Sequence, residues 1–243
     1  MIERRIGSAR IWCTDRRGGV SAPPFDTANL SFETGDRPED VAENRRRVGA
    51  AIGPPARDPA RWLWLRQVHG TGVVVARSAG DPPAEAGSEA DAAVTDVAGL
   101  PLVVLTADCA PVALVGRGAI GAVHVGWRGL LAGVLERSVA ALAELAPGPI
   151  RAVVGPCIRP ARYAFGVDDL ERVAAAVGPE VRAETVDGRP ALDLPAGVRV
   201  ALRRCGVDRI DDTGVCTHDS ADHFSHRRDG TTGRQALVVT IER

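Results

Sequence analysis

Three residues that can bind a transition metal, His69, Cys109 and His124, occupy similar positions along the chain. Each lies at or near the end of an apolar run that predicts a strand, and a glycine or proline follows within two residues. Strand ends that open into loops are where α/β proteins usually place ligands and catalytic groups. We therefore treat the three side chains as candidates for one shared site.

Two imidazoles and one thiolate form a three-ligand set that leaves a fourth position for water. Zinc fits this set best and copper second, because thiolate and imidazole ligands exclude magnesium and calcium. Such a metal lowers the pKa of its water and yields a hydroxide nucleophile near neutral pH. The gaps of forty and fifteen residues form no local metal motif. Two alternatives stay open: a purely structural role, and a metal-free hydrolase in which Cys109 is the nucleophile.

Several arginines stand where they could bind an anion. Arg128 precedes a helix predicted over residues 129–146, and the free N–H groups of a first helical turn favour negative charge. The segment HFSHRRDGTTGRQA brings Arg227, Arg228 and Arg234 together before the final strand. This segment is either an anion clamp or a solvated surface turn, and Arg128 is either a ligand or a surface residue.

The predicted elements alternate between strands and helices. Residues 39–53 and 129–146 have the apolar spacing of helices, and further helices are expected near 168–178 and 195–205. The predicted strands are 8–14, 61–70, 71–78, 91–96, 101–109, 118–126, 150–155, 207–212 and 235–242. Without a repeat or hinge, this order predicts one mixed α/β domain over residues 1–243, with helices covering mixed sheets.

Composition limits the function classes. The 30 basic and 31 acidic residues nearly cancel, so no global field attracts nucleic acid or a membrane surface. No lysine occurs, which excludes Schiff-base chemistry. Five irregularly spaced cysteines, and the lack of an apolar segment of signal or membrane length, predict a reduced cytoplasmic protein. Residues 79–90 form the one clearly polar loop, and no obligate protein partner is evident.

Eight motifs, in order, resemble the YfiH family, also called the multicopper polyphenol oxidoreductase or laccase-domain family. They read RRGGVSAPPFDTANL, GDRPEDVAENRRRV, RQVHG, ADAAVT, TADCAPV, HVGWRG, GPCI and FSHRRDGTTGR, and extend from about residue 10 to the C-terminus. The resemblance implies a single α/β domain with mixed sheets layered between helices. It also implies a catalytic metal held by His69, Cys109 and His124, the three residues that their strand-end context selects.

The resemblance implies several activities. The first is phosphorolysis of the purine nucleosides adenosine, inosine, guanosine and methylthioadenosine, together with adenosine deamination. The others are removal of L-serine from a cell-wall precursor, which is peptidoglycan editing, and copper-dependent oxidation of phenols. Five histidines without an H-x-H pair are too few for a cluster of several coppers, so phenol oxidation ranks last. Nucleoside chemistry is preferred, with a purine nucleoside and phosphate as the small-molecule partners.

One departure from the family pattern affects the expected site. Ala164 stands where relatives usually carry glutamate, so a proton-transfer role would pass to Asp108, the acidic neighbour of Cys109. Asp108 is therefore assigned a catalytic role with the three metal ligands. Arginines supply the bidentate donors that a phosphate needs. The predicted substrate-binding residues are Arg45, Gln67, Arg128 and Arg227.

Overall fold

Two sheets and a hairpin form the framework of the computed structural model, which describes residues 1–78 and 86–242. The first sheet is antiparallel, in the order β1 (Ile2–Ile6), β2 (Ala9–Cys13), β12 (Gln235–Ile241) and β5 (Leu102–Thr106). The second is mixed, in the order β11 (Arg209–Asp212), β8 (Arg151–Val154), β6 (Ala110–Val115), β7 (Ile120–Val125), β4 (Ala92–Thr95) and β3 (Val73–Ala76). The hairpin consists of β9 (Arg182–Glu184) and β10 (Pro190–Leu192).

In chain order, most α-helices of the described residues fall between strands of the second sheet. They are α1 (Pro38–Ile52), α2 (Trp127–Ala132), α3 (Val134–Leu145), α4 (Val167–Val177), α5 (Leu194–Arg204) and α6 (His226–Asp229). The single helix expected over 129–146 is two helices, because Gly133 adopts a left-handed φ of 87° and ends α2. No described helix is long and apolar enough to cross a membrane.

The two sheets pack face to face, and the alternation along β12 shows how. Leu237 and Val239 belong to the core between the sheets, where they meet Ala113 and Ala122 of the six-stranded sheet. Val238 points the other way, into an outer cluster that includes residues of α1 and of the loop after it. A strand that is buried on both faces is apolar throughout, as β12 nearly is.

Helices cover the other face of the six-stranded sheet. Val112 and Leu114 of β6 share a core with Leu135 of α3, Val173 of α4 and Val198 of α5. The order of layers is therefore α1, the four-stranded sheet, the six-stranded sheet, and α2 to α5. The mixed α/β architecture predicted from sequence is confirmed, and the single domain over residues 1–243 stays a prediction.

The strand predicted over residues 61–70 is wrong. This segment forms no strand and pairs with its neighbours through isolated bridges, Leu63 with Leu102 and Arg66 with Glu89. Further contacts include a hydrogen bond from the N–H of Gly87 to the carbonyl oxygen of Trp64 and one from the indole of Trp62 to the carbonyl oxygen of Ala56. His69 consequently lies in a loop.

Four strands have no counterpart in the predicted set: β1, β6 and the two short hairpin strands β9 and β10. The exposed edge strand β1 is too charged to be recognised from its pattern, and β6 begins beside Pro111, a residue that usually argues against a central strand. Most of the other predicted strands and helices are present within a few residues. Of the polar loop predicted at 79–90, residues 79–85 lie outside the described residues.

Truncation of a side chain between the sheets tests the packing. Leu237 is fully buried there, so Leu237→Ala is expected to lower the free energy of unfolding by about 2–5 kcal/mol, measured by urea denaturation. Val186, 70% exposed, provides the control, and Val186→Ala should change stability by less than about 0.5 kcal/mol. Equal losses in the two variants would contradict the packing described here.

Candidate metal centre

Cys109 lies where the chain passes from one sheet to the other. β5 of the four-stranded sheet ends at Thr106, and β6 of the six-stranded sheet begins at Ala110. Within the connecting turn Asp108 has a φ of 103°, a conformation that residues other than glycine rarely adopt. The turn places the Cys109 sulfur 3.8 Å from Nε2 of His69.

A single buried carboxylate, Asp91, organises both histidines. Its Oδ1 lies 2.8 Å from Nδ1 of His124, which leaves the Nε2 atom of that ring for a ligand. The same carboxylate accepts hydrogen bonds from the backbone N–H groups of Val68, His69 and Gly70. Metal-binding histidines commonly have such a carboxylate on their second nitrogen.

Sequence reasoning missed Asp91. It stands in the ADAAVT motif just before β4, where its hydrogen-bond partners, twenty-two and thirty-three residues away at His69 and His124, cannot be read from spacing. The available signal was an acidic residue at the start of an otherwise apolar strand. A charge at such a position is buried only when it is well hydrogen-bonded.

The three predicted ligands come together. One ligand atom from each of His69, Cys109 and His124 lies within 4.8 Å of the others. Tetrahedral zinc with bonds of about 2.0–2.3 Å separates such atoms by roughly 3.3–3.6 Å. Small side-chain movements therefore suffice to fit zinc, and the nitrogen and sulfur donors also suit copper.

The ligands influence one another's ionisation. Burial opposes ionisation of the Cys109 thiol, but the charge of His124 and hydrogen bonds from His124 and His69 lower its pKa to about 6. Burial also lowers the pKa of His124, yet the thiolate and Asp91 together raise it to about 9. The thiolate, which is the form that binds metals, is therefore favoured near neutral pH.

Gly126 allows the close approach of the ligands. A Cβ atom at this position would lie 2.8 Å from Cδ2 of His69 and 3.3 Å from the Cys109 sulfur. Gly126 stands between β7 and α2, so the chain can pass from the strand to the helix directly beside the ligand side chains.

The three ligands line a cleft of about 630 Å³. Every predicted substrate-binding residue lines it too: Arg45, Gln67, Arg128 and Arg227. Arg234, which the sequence placed in either a clamp or a turn, is also in the lining. Glu33 and Asp108 are the only acidic residues among the described residues that line the cleft, so its arginines outnumber its carboxylates.

The predicted arginines of the cleft lie against aromatic rings. The stacked partners are Trp64 and Phe32 for Arg45, Trp127 for Arg128, and Tyr163 for Arg227. None of these three guanidinium groups forms an ion pair with a carboxylate in the part of the chain that the structure describes. A guanidinium that lies over a ring can still donate its remaining N–H groups to an anion.

Gln67 and Asp108 make hydrogen bonds that hold the walls of the cleft. The amide of Gln67 donates to the carbonyl oxygen of Leu105 at 2.8 Å and accepts from its N–H at 2.7 Å. Asp108 accepts from the hydroxyl of Thr217 and from the backbone N–H of Arg227, both at 2.6 Å. Both carboxylate oxygens of Asp108 are thus engaged, and its part in proton transfer stays a prediction.

The layered fold and the cleft define the class of protein: an α/β enzyme with a candidate His-Cys-His metal centre. Residues 10–242 match the family described as "Multi-copper polyphenol oxidoreductase laccase". The chain belongs to this family, which is the YfiH family that its motifs resemble.

Curated relatives match over nearly their whole length. A purine nucleoside phosphorylase of Streptomyces coelicolor is 44% identical, with 100% of both chains covered. The purine nucleoside phosphorylase YfiH of Escherichia coli is 39% identical, over 94% of this chain and 93% of its own. Among solved structures, YlmD from Geobacillus stearothermophilus has a TM-score of 0.87 at 32% identity, covering 98% of this chain and 93% of that one.

Alanine substitution of two glycines, one beside the ligands and one as a control, tests the geometry of the candidate metal centre. Gly126→Ala is expected to displace His69 and to lower metal affinity at least about tenfold, as do comparable disturbances around metal ligands. Metal content after dialysis, measured by mass spectrometry, is the readout. Gly166→Ala is the matched control, because a Cβ at Gly166 meets nothing within 4 Å. Equal metal retention in both variants would show that Gly126 is not needed for ligand placement.

Proposed function

We propose that this chain is a metal-dependent purine nucleoside phosphorylase that also deaminates adenosine, with adenosine, inosine, guanosine and methylthioadenosine as substrates. One observation carries the proposal: the His-Cys-His cluster lines the same cleft as several arginines that form no ion pair with a carboxylate of the described residues. Relatives with the name purine nucleoside phosphorylase, at 38–44% identity, support it. The proposed setting is the cytoplasm, where the five free cysteines stay reduced.

Phosphorolysis makes clear demands on a cleft. An oxygen of phosphate forms a bond to C1′ of the ribose while the bond from C1′ to the purine nitrogen breaks. The base leaves with that electron pair and takes up a proton, and ribose 1-phosphate is the other product. The cleft arginines suit the phosphate, and the aromatic rings beside them offer flat apolar faces to a purine.

The proposed roles follow from the positions of the residues. His69, Cys109 and His124 hold zinc, or copper as the second choice, and Arg45, Gln67, Arg128 and Arg227 form the substrate-binding surface. When bound, such a metal supplies Lewis-acid activation of water, which deamination requires. Asp91 orients His124, while Asp108 holds the backbone of Arg227 and is proposed to transfer a proton.

Metal content tests the ligand set. Purified protein is expected to carry about one zinc per chain, and Cys109→Ala is expected to lose both metal and turnover, because one of the three ligands is removed. Cys205→Ala is the control, since Cys205 is also a free, partly exposed thiol but lies outside the cluster. Full metal content in Cys109→Ala would remove Cys109 from the ligand set.

Substrate identity is tested with inosine and adenosine, each incubated with and without phosphate and analysed by chromatography. Release of hypoxanthine from inosine only when phosphate is present is expected for phosphorolysis. Conversion of adenosine to inosine is expected for deamination. If no nucleoside reacts and L-serine is instead released from a cell-wall precursor, peptidoglycan editing replaces the proposed function.

A further inference from the structure

Two arginines of the cleft, Arg45 and Arg234, are partly buried and have no carboxylate partner within residues 1–78 and 86–242. Burial lowers the pKa of Arg45 to about 10 and also lowers the pKa of Arg234. Both remain cations at neutral pH. By contrast, Arg16 and Arg159 are also partly buried but form ion pairs with aspartates. A partly desolvated cation without a counter-charge is a ready position for an anionic ligand.

Leu30 connects the side chain of Arg45 to the backbone of Arg234. Nε of Arg45 donates to the carbonyl oxygen of Leu30 at 2.9 Å, and the N–H of Leu30 donates to the carbonyl oxygen of Arg234 at 3.0 Å. Both side chains line the cleft that contains the metal ligands. One fully buried residue thus joins two segments nearly two hundred positions apart.

Each guanidinium is fixed but keeps free donors. The guanidinium carbon of Arg45 lies over the ring of Trp64, 3.4 Å from its centroid, which restricts the movement of the guanidinium. Nη1 of Arg234 donates to the carbonyl oxygens of Thr232 and Gly233, both at 2.9 Å. Within residues 1–78 and 86–242, the terminal nitrogens of Arg45 and the Nε and Nη2 atoms of Arg234 have no acceptor. Such pre-ordered donors lose little side-chain entropy when a ligand binds.

A third polar group lies beside them. Thr106 lines the same cleft, and its hydroxyl is buried with no hydrogen-bond partner among the described residues. Thr106 is opposite Gln235 in the ladder of β5 and β12, so its backbone lies near that of Arg234, the residue before Gln235. It also precedes Cys109 by three residues. Three other threonine hydroxyls, of Thr213, Thr232 and Thr240, are buried without a partner among the described residues, but Thr106 is the one of the four that lines the cleft, where a ligand oxygen could satisfy it.

We propose that Arg45 and Arg234 form the phosphate subsite of the cleft, with the hydroxyl of Thr106 as a further donor. The choice of phosphate as the anion rests on the function proposed above. Two planar guanidinium forks match the tetrahedral oxygens of phosphate. Arg128 and Arg227, which are exposed and stacked on Trp127 and Tyr163, are left for the nucleoside.

The subsite is tested by titrating inorganic phosphate into the full chain in a calorimeter, without nucleoside. Arg45→Met and Arg234→Met are each expected to raise the Kd for phosphate at least about tenfold, as the loss of a bidentate charged contact does. Arg234→Lys, which keeps the charge, should recover part of the affinity. The matched control is Arg117→Met, because Arg117 is exposed and lies outside this cleft.

Thermal unfolding of each variant separates lost binding from lost folding, and Arg234→Gln replaces any variant that does not fold. Unchanged phosphate affinity in folded variants at both positions overturns the subsite. Binding of inosine 5′-monophosphate, but not of inorganic phosphate, overturns the assignment to free phosphate.

Activity data keep this subsite distinct from the proposed function. If phosphate binding depends on Arg45 and Arg234 but no nucleoside is cleaved, the subsite stands and phosphorolysis fails. If inosine is cleaved and the KM for phosphate is equal in the wild type and both variants, phosphorolysis stands and the subsite fails.

Discussion

The candidate metal centre depends on the hydrogen bonds that the carboxylate of Asp91 forms. This carboxylate is fully buried and bonds the ring of His124 on a strand together with three consecutive N–H groups of the loop that carries His69. Burial raises its pKa, but the bonds from His124 and the backbone N–H groups outweigh this and keep the pKa below its usual value. Without that charge, a loop with no backbone ladder of its own would have little to hold it beside β7.

The walls of the cleft are also held by hydrogen bonds between side chains and backbone groups that are distant in sequence. Gln67 pairs with Leu105 as a strand neighbour would, and Asp108 connects the turn before Cys109 to the C-terminal segment at Arg227. These contacts hold irregular segments at fixed positions around the candidate metal ligands.

Local sequence signals predicted part of this arrangement. The residue types and strand-end positions of His69, Cys109 and His124 selected the three side chains that the fold brings together, although His69 lies in a loop and not at the end of a strand. The role of Asp91 and the connection of Arg45 to Arg234 through Leu30 could not be predicted, because the bonded residues are not adjacent in sequence. Pro111 hid β6, since its missing N–H is usually incompatible with a central strand.

The passage of the chain between the sheets at Cys109 has a mechanical consequence. His124 belongs to the six-stranded sheet, Cys109 to the crossing turn, and the His69 segment is bonded to β5 of the four-stranded sheet through Gln67. A metal bound by all three would cross-link the two sheets. It would close loops of the chain as a covalent cross-link does, so one sheet could slide over the other only if a metal–ligand bond broke.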